Sequence, residues 1–173
     1  MEKGISTSAE LFSQLERLVK LHQQLAELLR VERLTLVSMN LPQIQEVSEQ
    51  KQSLLHQIAL EEAHRVRLIP ALSVELGVSA EQATLSPLIQ KLQVRDLALA
   101  ERFVAIRDRL MHLVSEIQSE NQSNARFLEA SIDHVNQMKK NILGEATPRS
   151  GTYSSTGHPQ TTAAGSRLIS REV

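Results

Sequence analysis

Glu61 and His64 stand three positions apart. This is the Glu-x-x-His spacing with which di-iron helical bundles present a carboxylate and an imidazole to one metal. Such a site needs a second pair and two further inward carboxylates. The chain holds no second Glu-x-x-His, so a solvated or interhelical Glu and His is the simpler reading, and only a homodimer would supply the missing half. The six histidines are His22, His56, His64, His112, His134 and His158. No two lie three or four positions apart, so no single helix presents a two-His chelate. The absence of cysteine removes disulfides, thiolate nucleophiles and Cys-based zinc sites together. There is no Gly-x-Ser-x-Gly, no phosphate loop and no dinucleotide fingerprint. No metal, no cofactor and no catalytic residue is expected, and the chain does not read as an enzyme.

The composition limits the remaining functions. Of 173 residues, 41% are hydrophobic and only 2% aromatic, which disfavours sheets built on Val, Thr and aromatics. It favours helices packed through aliphatic seams. The net charge is −1, so no basic footprint for nucleic acid exists at the level of the whole chain. Single-strand binding is also disfavoured, because bases need aromatic platforms. The first ten residues contain no apolar run, and no stretch of 18 apolar residues occurs anywhere. Neither a secretory signal nor membrane insertion is expected, and a cytoplasmic location follows.

Three helical blocks must position whatever the chain does. In the first, of about residues 8–39, Thr7 and Glu10 have capping-box spacing. Leu11, Leu15, Leu18, Leu25, Leu29, Leu36 and Met39 then recur at alternating steps of four and three, with His22 and Glu32 in two seam slots. That is a heptad stripe, and His22 in it reads as a register-setting polar residue. Asn40-Leu41-Pro42 marks a turn, with Asn40 as cap of the second block, residues 41–76. This block carries Ile44, Val47, Leu54, Leu55, Ile58, Leu68 and Ile69, with Lys51, Glu61 and Arg65 at seam-like spacing. A short connection between two long heptad helices predicts an antiparallel hairpin. Pro70 should kink or end the second helix, and Gly77 is a good stop if it continues.

Ser79 to Ser86 reads as a connector in which Ser79 and Gln82 can cap one short turn. Ser86-Pro87 then opens a third helix over residues 87–143, with Ser as cap and Pro in the first position. Leu99, Phe103, Ile106, Leu110, Leu113 and Ile117 keep the rhythm, Glu120, Asn121 and Asn124 interrupt it, and Leu128, Val135 and Ile142 resume it. Unbroken, this helix is about 80 Å long and should outrun the hairpin. Residues 144–173 are rich in Gly, Pro, Ser and Thr. They are expected to be a disordered tail, with Tyr153 its one aromatic. The fold class is therefore all-α: an elongated antiparallel coiled-coil-like bundle of three main helices over residues 1–143, with a disordered C-terminal tail.

Two readings of the third block stand side by side. Asn121 and Asn124 are either a register-fixing polar layer or a hydrogen-bonding patch for a partner. Ile117, Phe127, Leu128, Ile132, Val135 and Met138 are either core or apolar grips for a partner helix. A homodimer would bury the same stripe.

The order of several weak motifs carries a resemblance. Leu25, Leu28, Leu29 and Glu32, then Leu41-Pro42, then Glu49-Gln50-Lys51-Gln52-Ser53-Leu54-Leu55, followed by Ile58, Glu61 and Arg65, resemble the hairpin of FlgN-type flagellar export chaperones. Asn121 to Leu128 is similar to the family's Asn-x-x-Asn segment, and Tyr153 to Gly157 to its tail motif. The likeness spans roughly residues 10–157. It implies a chaperone that masks the C-terminal helical segment of hook-associated (hook–filament junction) proteins and delivers them to the export gate. It assigns capture of the substrate protein to the later third helix, hence to Ile117, Asn121, Asn124, Phe127, Leu128, Ile132, Val135 and Met138. It also assigns docking on the gate's cytoplasmic domain to Tyr153. Without the resemblance, the pattern also fits a generic oligomeric coiled-coil adaptor.

Overall fold

The computed structural model describes residues 2–79 and 84–143, with side chains from residue 7 onward. Four helices follow in order: α1 Glu2–Ser38, α2 Leu41–Leu76, α3 Leu85–Arg95 and α4 Leu97–Ile142. Two compact units divide the chain, residues 1–125 and 126–173.

In the first unit the aliphatic seam does what its spacing predicts. Leu11, Leu15, Leu18, Leu25 and Leu29 of α1 are all buried. Thr7 reaches Glu75, Gln14 reaches Glu61, and Glu32 reaches Lys51 near the turn. Contacts that rise on one helix and fall on the other mean that α1 and α2 run antiparallel. The pairs Phe12–Phe103, Arg30–Glu116 and Leu29–Asn124 rise together, so this part of α4 runs parallel to α1.

The main core joins Leu11, Leu15, Leu18 and Val19 of α1 to Ile69, Leu72 and Leu76 of α2, Leu88, Ile89 and Leu92 of α3, and Ala100, Phe103, Ile106 and Leu113 of α4. Phe103 is fully buried and meets Phe12 edge-to-face at 5.5 Å. A smaller cluster of Leu25, Ala26, Leu29, Leu54 and Ile117 lies toward the hairpin turn. The seam ends there. Leu36 is only half-buried, and Leu34, Val37, Met39 and Leu41 are exposed around the turn.

The turn and the α2 stop have the predicted chemistry. Asn40 is extended, and its side chain accepts from the Gln43 amide at 3.3 Å. Gly77 closes α2 in the left-handed conformation, donating its amide to Ser73 and Val74 carbonyls. Met39, also left-handed at φ 52°, fills a place that suits glycine better.

Several boundaries differ from expectation. Thr7 lies inside α1 and donates to Glu75, so it does not cap the helix. Pro70 does not end α2, which keeps the expected span to Leu76. The carbonyl four residues back, which loses its amide partner to the proline, belongs to exposed Val66. Helix α3 starts at Leu85 after Thr84, which makes no side-chain cap, so Ser86 is not the cap and Pro87 occupies the first turn. The Ser79–Gln82 cap involves a position outside the described residues.

The third block is two helices, not one, and four helices replace the expected three. No Gly or Pro causes the break. Asp96 is extended, its amide bonds Leu92 at 2.7 Å, and its carboxylate accepts from the Leu99 amide at 3.0 Å. It therefore ends α3 and caps α4, because a short acidic side chain offers the backbone an alternative to the helical ladder. Beyond it, α4 is helical through Glu120–Asn124.

Two measurements check this account. Phe103→Ala should destabilise the fold by about 3–5 kcal/mol in urea unfolding, through lost burial and a cavity. Asp96→Ala should cost about 1 kcal/mol, with a loss of helix at the start of α4.

Candidate functional site

Three polar side chains from three helix segments meet near the hairpin turn. Glu32 and Lys51 form an ion pair at 2.5 Å, both largely shielded from water. Asn124 of α4 is 4% exposed and donates its amide to the Leu29 carbonyl at 2.9 Å and the Glu32 carboxylate at 3.0 Å. Both partners accept only, which fixes the orientation of the amide. Its Oδ1 is buried with no hydrogen-bond partner among the described residues. The layer rests directly on Leu29 and the cluster that contains Leu54 and Ile117.

Nearby charges act on the rim. Arg30 bonds Glu27 at 3.0 Å and Glu116 at 2.5 Å. The hydrogen bond to Glu27, then the charge of Glu116, raises its pKa above the ordinary arginine value. Both pairs are open to solvent and contribute little to stability.

The Glu-x-x-His pair is used differently. Glu61 accepts from the side chain of fully buried Gln14 and lies 3.8 Å from Arg17. His64 faces Glu10 at 3.6 Å. Among the described residues no three His, Asp or Glu side chains are grouped to hold a metal ion. His22 bonds its own helix at the Leu18 carbonyl, 2.7 Å away, rather than a residue across the seam.

The residues expected to grip a partner fall into two environments. Within residues 1–125, Ile117 is 8% exposed in the smaller core cluster, Asn124 belongs to the buried layer, and Asn121 is exposed. In the second unit the described residues 126–143 are helical to Ile142. Phe127 is half-buried, and its carbonyl accepts from Ser131. Leu128, Ile132, Val135 and Met138 are 46%, 51%, 56% and 49% exposed. Ile142 and Leu143 are exposed as well. Every described residue from 128 onward except Ser131 is exposed. The apolar positions fall at heptad-like steps, which places them on one helical face. Tyr153 lies outside the described residues.

Two grooves on the first unit were not expected from spacing. One, of about 380 Å³, runs past His22, Arg65, Leu110, Met111 and Val114. The other lies between α1 and α4 and carries Lys20, Arg102 and Arg109. The seven-residue step from Arg102 to Arg109 is the sequence signal that was available for it.

A family model described as FlgN protein matches residues 1–161. The chain belongs to the FlgN family. No curated protein and no solved structure matches it.

FlgN membership gives the chain a flagellar export chaperone role, in flagellum biogenesis. No described helix is long and apolar enough to cross a membrane. The FlgN-like motifs also acquire a physical meaning. Leu29, Glu32, Lys51, Leu54 and Asn124 come together in one layer and its supporting cluster, whereas Leu55 and Asn121 stay exposed. Asn124→Ala should destabilise the first unit by about 1–3 kcal/mol, since Glu32 loses a buried donor. Urea unfolding beside Asn121→Ala, which should change stability by less than about 0.5 kcal/mol, separates the two asparagines.

Proposed function

We propose that this chain binds the C-terminal helical segment of hook–filament junction proteins, prevents their premature assembly and delivers them to the flagellar export gate. FlgN membership supports the general role. The observation that carries the finer reading is the exposed apolar face of Leu128, Ile132, Val135 and Met138.

A helix recognised by another helix needs apolar anchors at i, i+3, i+4 and i+7. Residues 128, 132 and 135 meet that pattern, and Met138 adds a side chain that adapts to irregular partners. Burying such half-exposed side chains supplies roughly 1 kcal/mol or more each. That suits a chaperone, which must hold its cargo and also release it. Phe127 flanks the stripe, and Tyr153 is assigned to contact with the cytoplasmic domain of the export gate. Ile117 and Asn124 support the fold of the first unit and are not counted among the grips.

Leu128→Ala with Ile132→Ala should raise the Kd for a junction-protein C-terminal segment by roughly tenfold to several hundredfold in calorimetry. Helix content should be unchanged. Unaltered affinity at equal helicity would remove the stripe from the binding site. A stable dimer that refuses the segment would instead favour the oligomeric adaptor reading. Tyr153→Ala should leave segment binding intact and weaken association with the gate domain; parallel loss of both would contradict separate roles.

A further inference from the structure

Lys20, Arg102 and Arg109 lie together on an open groove of about 420 Å³ between α1 and α4, within residues 1–125. Phe12, Val19 and Ile106 supply its apolar lining. Five other cations of this unit are answered by carboxylates, while Arg67 and Arg95 donate to backbone carbonyls. Arg17 faces Glu61, Arg30 faces Glu27 and Glu116, Lys51 faces Glu32, Arg65 faces Glu62, and Arg107 faces Asp108. Lys20 and Arg109 pair with no carboxylate among the described residues. Arg102 lies over the Phe12 ring, 4.2 Å from its centroid, a contact that holds the guanidinium without an anionic partner. Glu16 is the one acidic residue on the groove, against three cations.

We infer that this groove docks an acidic amphipathic helix of a partner protein. Apolar side chains of that helix seat on half-buried Phe12 and on the edges that the core residues Val19 and Ile106 present to the groove, and its flanking carboxylates meet Lys20, Arg102 and Arg109. Residues 12–19 and 102–109 each extend about 10 Å, so two turns of a partner helix fill the groove. Charge selects this occupant over others. The chain's own segment 144–173 carries Glu145 and Glu172 against Arg149, Arg167 and Arg171, which is the wrong sign. A second copy docking through the same face would set cations against cations. The groove uses none of the residues 128–138, so the inference stands apart from the proposed cargo surface.

The test uses the full chain and two fluorescein-labelled helical peptides of about 20 residues. Both carry Leu at i, i+3, i+4 and i+7; one is flanked by Glu and the other by Lys. Fluorescence anisotropy should show binding of the Glu peptide alone, weakening as salt rises from roughly 50 to 300 mM. Lys20→Glu with Arg109→Glu should weaken it about tenfold or more at unchanged helicity. If that pair unfolds the protein, Lys20→Gln with Arg109→Gln should give a smaller loss of the same sign. The Leu128→Ala, Ile132→Ala chain should bind the Glu peptide as before. Equal binding of both peptides, or affinity indifferent to the groove cations, overturns the inference. Preferential binding to phosphatidylserine vesicles with the same charge dependence also overturns it, assigning the groove to a lipid surface.

Discussion

Leucine packs on leucine in many registers, whereas a carboxylate taken from water tolerates very few. Glu32 sits where the aliphatic seam of α1 thins toward the hairpin turn, and it is satisfied only when Lys51 and Asn124 arrive together. The antiparallel partner supplies the cation and α4 supplies the amide. A slip of one turn in either would leave Glu32 without one of its partners. Asn124 also ties the same point to the Leu29 carbonyl, so backbone and side chain agree on one alignment. Gln14 does the equivalent further along, joining the Glu61 backbone and carboxylate to Arg17. The leucines supply most of the burial; these polar contacts select its register.

That division explains which features spacing alone could anticipate. Heptad steps locate the buried face of α1, the hairpin and the Phe103–Leu113 run, because periodic burial is a sequence property. Asn40 and Gly77 are equally plain, since each has one dominant way to end or start a helix. The break at Asp96 is not plain, because an aspartate also stands on helix surfaces and no Gly or Pro marks this one as a cap. Pro70 is the converse case: its helix-breaking tendency yields where Val66, four residues back, is exposed and Leu72 and Leu76 beyond it are buried. The two asparagines look alike in sequence, yet only Asn124 faces the hairpin, and Ile117 turns out to be core.

The two units treat apolar side chains in opposite ways. Residues 1–125 close around two clusters of buried aliphatic side chains, with polar layers that set their alignment. The described part of the second unit presents Leu128, Ile132, Val135 and Met138 to solvent. Large apolar residues in regular exposure on a helix are the pattern on which the proposed cargo surface rests. Leu29, Glu32, Lys51, Leu54 and Asn124 thus build the scaffold of the first unit, and the exposed stripe is the surface proposed above for the cargo.

The most direct measurement is amide hydrogen exchange on the chain alone and in complex with a hook–filament junction protein. New protection should concentrate in residues 126–143, with the core-facing amides of residues 11–29 little changed. Protection confined to the hairpin, with residues 126–143 exchanging at the free rate, would contradict the proposed cargo surface.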